Sequence, residues 1–213
     1  MILCTFFCRC QDTMVRDSNF YQTIIGLLRQ VDGSFVALRD KFPNEVCCRP
    51  GCDDCCHACF SVSCAEALLL RHALTGLSDS QKKQLVKRAE TAENEFHVLE
   101  NKIRSQRPDA KKEIVGTFRL RCPLLVPGSC QCLLYDYRPI TCRVYGLPTS
   151  IGNQGHVCGL SGFAQGRTYP TIKLDNLNQY LDSLSEDVVR ELGLSINPGH
   201  RYFIHQLVLQ DKL

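Results

Sequence analysis

Cysteine density is the feature that most constrains this chain: seven of its 15 cysteines fall within the 18 residues CCRPGCDDCCHACFSVSC. A cysteine-rich chain is either a secreted disulfide framework or a thiolate metal site in a reducing compartment. An odd cysteine count cannot be fully paired within one chain. The N-terminus MILCTFFCRCQD lacks the basic region, long apolar stretch and cleavage site of a secretory signal. We therefore expect a cytoplasmic protein with reduced thiols.

The bulk composition excludes several classes of protein. Hydrophobic residues make up 44% of the chain and charged residues 22%, as in ordinary globular proteins. The net charge of +3 is too small to indicate a nucleic-acid partner. No apolar run approaches the roughly 18 residues of a membrane span, and no glycine-rich phosphate loop or Ser–His–Asp pattern is present. No pattern in the sequence indicates a particular protein partner.

Hydrophobic periodicity predicts a mainly α fold. We expect helices over residues 18–42, 63–74, 78–106, 173–192 and 198–209, because apolar residues recur there at helical spacing after Ser N-caps or before Gly and Pro. Residues 116–170 carry no strong helix signal and have room for short strands. So long an irregular stretch needs something to order it, and a metal ion would do so.

We interpret residues 14–213 as one domain, with its motifs in residues 44–160. Residues 1–13 lack periodicity, and Met14 follows them, so we expect a disordered leader, with Met14 as an alternative start of translation. We expect that Cys4, Cys8 and Cys10, the three cysteines of this leader, do not bind metal.

Two groups of cysteines, about seventy residues apart, supply the candidate ligands. Two thiolates separated by two residues can fold around one ion, and soft thiolates select zinc or an iron–sulfur cluster over magnesium or calcium. Adjacent cysteines rarely ligate one ion comfortably, so the Cys55–Cys56 pair indicates two ions, a cluster, or one ligand beside a packed thiol. The first group contains Cys48, Cys52, Cys55 and Cys56, and the second contains Cys122, Cys130, Cys142 and Cys158.

Several neighbouring residues have two interpretations each. For Cys47, Cys59, Cys64 and Cys132, burial as a small hydrophobe competes evenly with ligation. His57 and His156 are alternative ligands, and for His200 and His205 we expect ordinary packing. Arg138 and Arg143 are expected to balance thiolate charge, Tyr135, Tyr137 and Tyr145 to cover the core, and Asp53 and Asp54 to lie on a solvated turn. Glu66 fits either a helix first turn or a hydrogen bond from the site.

The segments GCDDCCHACFSVS, RCPLL and SCQCLLYDYRPITCRVYGLP resemble the YkgJ-type cysteine-cluster family, described as a zinc- or iron-chelating domain. The resemblance covers about residues 44–160. It implies the eight ligands given above, although this chain has C-x3-C where many relatives have C-x2-C.

Three functions follow as hypotheses. The first is a metal-binding protein whose centre is structural or used in metal handling. The second is an iron–sulfur oxidoreductase or a protein lysine N-methylase-like enzyme, since relatives carry such names. The third is a thiol redox sensor. We favour the first, because nothing outside the cysteine motifs has a catalytic pattern.

Overall fold

The structure is a computed structural model that describes residues 15, 18–107, 110, 114 and 117–210. It confirms the mainly α class. The proposed leader, residues 1–13, lies outside the described residues. The helices are α1 (Asn19–Lys41), α2 (Cys64–Thr75), α3 (Asp79–Arg104), α4 (Ile140–Val144), α5 (Leu174–Glu191) and α6 (Ile204–Leu209).

Serine caps fix the starts of the first three helices. The hydroxyl of Ser18 accepts a hydrogen bond from the Tyr21 backbone N–H. Ser63 and Ser78 each form a complete capping box with the residue three positions later, Glu66 and Gln81. Such side chains satisfy N–H groups that lack a partner in the first turn, and for this reason the predicted boundaries hold within one or two residues.

The irregular stretch contains short strands and more helix than its composition predicted. Strands β1 (Leu125–Val126) and β2 (Gln131–Cys132) form an antiparallel hairpin. Strands β3 (Thr149–Ile151), β4 (Gln154–His156) and β5 (Ile172–Lys173) form a sheet in the order β4-β3-β5, antiparallel and then parallel. Between them lie a 3-10 turn at Tyr135–Tyr137 and helix α4. The 116–170 region is therefore a series of short elements.

The last helix starts later than residue 198, where the sequence predicted it. It begins at Ile204, because the preceding backbone pairs with the segment before α2. The Val62 N–H donates to the Tyr202 carbonyl at 2.8 Å, and the Tyr202 N–H returns a bond to Val62 at 3.0 Å. This bridge fixes the C-terminal segment beside the first cysteine group.

Two main apolar clusters flank the cysteine segments. One packs α1 against α2, α4 and α5 and contains Ile24, Leu69 and Leu181. The other packs α2 against α3, α6 and the hairpin and contains Leu85 and Leu207. Helix α2 contributes to both clusters, and the segment that carries the first cysteine group leads directly into it. Among the described residues, every helix is too short or too polar to cross a bilayer.

Candidate metal centre

The first cysteine group folds through two tight turns. Pro50 and Gly51 form a turn closed by a 3.0 Å hydrogen bond from the Cys52 N–H to the Arg49 carbonyl. Gly51 has φ of +91°, which glycine adopts readily at the third position of a type II turn after proline. The extra residue in C-x3-C is thus accommodated by a Pro-Gly turn. A 3-10 helix, Asp54–His57, then carries the adjacent cysteines.

Backbone hydrogen bonds join the two cysteine groups directly. The Cys122 N–H donates to the Cys56 carbonyl at 2.7 Å, and the Leu120 N–H donates to the His57 carbonyl at 2.9 Å. Ala58 and Arg119 form an isolated antiparallel bridge beside them. Cysteines that are far apart in sequence therefore lie next to each other, as the metal hypothesis requires.

The β1–β2 hairpin places its two cysteines in different surroundings. The loop turns at Pro127–Gly128, and Cys130 follows at its end with φ of +51° and an exposed side chain. Cys132 lies on β2 and lines a cavity shared with the other thiols. The predicted ligand Cys130 lies outside the residues that line this cavity, and Cys132, for which the sequence left ligation open, lies inside it.

Glu66 connects the first cysteine segment to helix α4, which carries Cys142. One carboxylate oxygen accepts bonds from the N–H and hydroxyl of Ser63, and the other accepts a 2.9 Å bond from the Ile140 N–H. Glu66 is thus an acid in the first turn of α2, and its second oxygen holds the backbone of α4 two residues before Cys142. Its side chain is buried, so these bonds position α4 beside α2.

A cavity of about 40 Å³ lies where these segments meet. It has room for about three water-sized spheres. The cysteines that line it are Cys55, Cys56, Cys59, Cys122, Cys132 and Cys142. All of these except Cys59 are linked by electrostatic interactions that shift their pKa values, and we call those five the cavity thiols. Burial alone raises the pKa of Cys59, which packs against the cluster containing Phe96.

Burial and mutual repulsion keep most cavity thiols protonated. Burial raises the pKa of Cys122 to about 12, and the charge of Cys132 adds to the effect. Burial also raises the pKa of Cys142 well above its usual range. A hydrogen bond from the Cys56 thiol lowers the pKa of Cys55 and raises that of Cys56. Cys55 is therefore the cavity thiol that ionises most readily.

Three further cysteines form a second thiol group, made of Cys48, Cys52 and Cys158. Burial, followed by the charges of Cys52 and Cys158, raises the pKa of Cys48 to about 11. The Cys158 thiol donates a 3.4 Å hydrogen bond to an Asp54 carboxylate oxygen. Cys55 influences Cys48 as well as the cavity thiols, so it lies between the two groups.

The glycine of the C-R-x-Y-G motif makes room for the second thiol group. A Cβ placed on Gly146 would overlap the Cys48 sulfur and would stand 3.3 Å from the Cys48 Cβ. Any larger residue would displace this thiol. The segment after Cys158 is fixed by a 2.8 Å bond from the Gly162 N–H to the Glu45 carbonyl, which brings residues 158–162 near the start of the first group.

The charged residues differ in part from their predicted roles. Arg138 lines the cavity, and its charge lowers the pKa of Cys55 and Cys132, as expected for charge balance. Arg143 is buried and mainly ties backbone together, because it donates to the Arg138 and Asp136 carbonyls and to the Asp32 carboxylate. Its charge also lowers the pKa of Cys132, so the expected charge balance is one part of its role.

Asp54 was expected on a solvated turn, and the structure places it in the site. Its side chain is only 19% exposed and pairs with Arg119, in addition to its contact with Cys158. Tyr135, expected in the core, is 59% exposed, and its ring lies 3.8 Å from the Arg138 guanidinium carbon. No local sequence pattern indicates the long-range Asp54–Arg119 pair.

The alternative ligands lie apart from the cavity thiols. His57 faces Asp53 at 3.7 Å, and His156 is exposed on β4. Cys47 is exposed, while Cys64 is buried and bonded to Tyr202. His205 is the exception among the histidines, since it is buried and lines the cavity.

The described cysteines are all free thiols. Within that part of the chain, no three Cys, His, Asp or Glu side chains stand in a closed set around one point. The sulfur of a cysteine moves by rotation about one bond, Cα–Cβ. This rotation would bring the sulfur atoms to about 2.3 Å from a zinc ion, the usual length of a zinc–thiolate bond.

A family model matches residues 47–159, and its description reads "putative zinc- or iron-chelating domain", of the CxxCxxCC type. The chain belongs to this family. The match begins at Cys47 and ends one residue after Cys158, so it spans both thiol groups. No curated protein and no solved structure shows significant similarity to the chain. The resemblance drawn from the cysteine motifs is thereby confirmed.

Proposed function

We propose that this protein binds zinc or an iron–sulfur cluster through the cavity thiols, and that the metal holds its irregular region together. One observation carries the proposal: five half-buried thiols from three separate segments line one cavity. Cys55 and Cys56 come from the first group, Cys122 and Cys132 from the hairpin region, and Cys142 from α4. Thiolate sulfur is the ligand type that selects these metals.

The donor set fits such a centre. Half-buried thiols that repel one another when ionised leave a site short of positive charge, which a metal cation supplies. The half-buried Arg138 is a fixed cation beside them. Because one ion would join three segments that are far apart in sequence, its binding free energy would appear largely as folding free energy.

We propose the second thiol group as a neighbouring subsite that shares Cys55. Cys48 and Cys52 flank the Pro-Gly turn, and Cys158 approaches from the far end of the family region. The adjacent Cys55–Cys56 pair then serves two positions, as two neighbouring ions or one polynuclear cluster would require. The proposed ligand set keeps seven of the eight sequence candidates and replaces Cys130 with Cys132.

The deciding experiment is elemental analysis with a visible absorption spectrum on protein purified without oxygen. Zinc in a colourless protein supports a structural or metal-handling centre. Iron and sulfide in equal amounts with a visible charge-transfer band support a cluster. Protein that contains neither metal and takes up neither zinc nor iron and sulfide would refute the proposal.

A matched pair of variants tests the ligand assignment. Cys132→Ser and Cys130→Ser alter two cysteines of one hairpin, one lining the cavity and one exposed. We expect Cys132→Ser to lower the metal content and Cys130→Ser to leave it unchanged. The reverse result would restore the ligand set that the sequence implied.

A further inference from the structure

Residues 158–169 run from Cys158 across the segment that follows helix α1, and we call them the strap. The strap lies between β4 and β5 and consists of turns and extended backbone. At its first attachment, the Gly162 N–H donates a 2.8 Å hydrogen bond to the Glu45 carbonyl. A Cβ on Gly162 would stand 2.9 Å from the Asn44 carbonyl oxygen, so the two backbones touch and only glycine fits without a shift.

Three aromatic rings form the second attachment, and we call them the aromatic latch. Phe42, the C-terminal cap of α1, meets Phe163 and Tyr169 of the strap edge to face, at centroid distances of 6.2 and 5.5 Å. The two strap rings lie 4.8 Å apart. The Tyr169 hydroxyl accepts a 3.2 Å hydrogen bond from the Ala164 N–H. Such ring pairs stabilise a contact beyond the burial of their area, so the latch holds the strap against the end of α1.

The latch is separate from the apolar clusters that flank the cavity thiols. Among the described residues, those clusters include none of its three rings. The latch rings are half-buried, and the strap residues between them, 164–168, are exposed. A segment with few buried contacts opens locally at a lower free energy than the core. The strap can therefore open while the helices stay packed.

Cys158 is tied to the strap by its own hydrogen bonds. The Leu160 N–H donates to its sulfur at 3.4 Å, and the N–H and hydroxyl of Ser161 donate to its carbonyl at 2.9 and 2.6 Å. Cys158 is only 7% exposed with the strap in place. The other members of the second thiol group, Cys48 and Cys52, follow the segment to which the strap is attached. Opening of the strap would thus draw Cys158 away from them.

The core holds the cavity thiols instead. Cys142 lies on α4, where Ile140 and Val144 are buried in the cluster of α1 and α2, and Cys122 and Cys132 pack against the other main cluster. We propose that the strap is a gate for the second thiol group, and that a metal ion in that subsite exchanges through it while an ion held by the cavity thiols stays in place. The inference rests on the two-subsite centre proposed above, and it makes one ion resident and the other exchangeable.

The first test follows alkylation of each cysteine by mass spectrometry in the full, reduced chain without metal. Phe163→Ala removes one ring of the latch and should speed the alkylation of Cys158 by about 5- to 30-fold, with Cys142 unchanged. Gly162→Ala should act in the same direction through the other attachment. Tyr180→Ala truncates an exposed ring on α5, so it is the control and should change neither rate.

Two results of this test would overturn the gate. One is alkylation of Cys158 at the wild-type rate in both strap variants, and the other is equal acceleration at Cys158 and Cys142, since that pattern shows general loosening. The second test measures release of zinc from the loaded chain to a chelator. We expect two phases, of which Phe163→Ala speeds only the faster. Two phases that Phe163→Ala leaves unchanged would overturn the gate alone, whereas a single phase in the wild type would overturn the two-subsite centre and the exchange together.

Discussion

The contact between Gly146 and Cys48 leads to a quantitative prediction for Gly146→Ala. The new methyl group would overlap the Cys48 sulfur, and the nearby Cys48 Cβ, at 3.3 Å, limits how far the side chain can swing away. Restoring an ordinary contact of about 3.5–4.0 Å requires the sulfur to move by about 1.5 Å. The variant thus displaces one member of the second thiol group without removing any cysteine.

The expected cost combines two opposing terms. Overpacking a filled site usually costs about 1–3 kcal/mol. Replacing glycine by alanine recovers about 0.4–1 kcal/mol through the entropy of the unfolded chain. We therefore expect Gly146→Ala to lower the free energy of unfolding by about 1–2 kcal/mol. Gly155→Ala is the control, because a Cβ at Gly155 meets nothing within 4 Å, and we expect it to be neutral or slightly stabilising.

Urea unfolding of the metal-free, reduced protein measures these changes as shifts in the midpoint at constant slope. The double variant Cys48→Ala with Gly146→Ala identifies the cause, since removal of the sulfur removes the clash. We expect the double variant to be more stable than the sum of the single changes predicts, with a coupling of about 1 kcal/mol. Additive single effects, or a Gly146→Ala protein as stable as the Gly155→Ala control, would refute the steric argument.

Three other predictions concern groups outside the cavity. Glu66→Ala should lower the free energy of unfolding by about 2–4 kcal/mol, measured in urea, because the Ser63 and Ile140 N–H groups lose their buried acceptor; a change under 1 kcal/mol would contradict this. Burial raises the pKa of Cys64 from 9.0 to about 11. The folded state thus favours the neutral thiol, and this stability is complete below pH 9 and lost as the pH rises from 9 to 11. Cys64→Ala should remove that part of the alkaline loss, and an unchanged pH profile would argue against it. Gly26→Ala should stabilise α1 by about 0.5–1 kcal/mol, since the position is helical and open, and a lower thermal midpoint would show an unseen contact.

Local patterns predicted the helices of this fold well. The sequence predicts Ser18 and Ser78 as N-caps, and each caps the helix that follows it. A cap is formed by residues three positions apart, so it can be deduced from sequence alone. The last helix was predicted too long, because its first residues pair with Val62, more than 100 positions away. Nothing local to residues 198–203 encodes that pairing.

The site was predictable in its chemistry and less so in its membership. Cysteine spacing predicts which segments supply the candidate ligands, yet it cannot separate the exposed Cys130 from Cys132, which lines the cavity. The difference arises from the hairpin turn at Pro127–Gly128, which leaves Cys130 in the loop and sets Cys132 on the strand. A Pro-Gly pair is a turn signal that sequence reading can use, so this assignment lay within reach. The Asp54–Arg119 pair and the position of His205 depend on packing between distant segments.

The adjacent cysteines show why the two thiol groups are better understood together. Successive residues of a 3-10 turn point in directions about 120° apart, because that helix has three residues per turn. Cys55 and Cys56 still share a hydrogen bond, and the charge of Cys55 also raises the pKa of Cys48. Cys55 can therefore interact with both the cavity thiols and the second thiol group only if the turn Asp54–His57 keeps its geometry. The Arg119–Asp54 pair and the Cys122–Cys56 backbone bond hold that turn from outside the cavity. On this argument, Arg119→Ala should weaken metal binding at both thiol groups, whereas Cys158→Ser should weaken it at the second group alone.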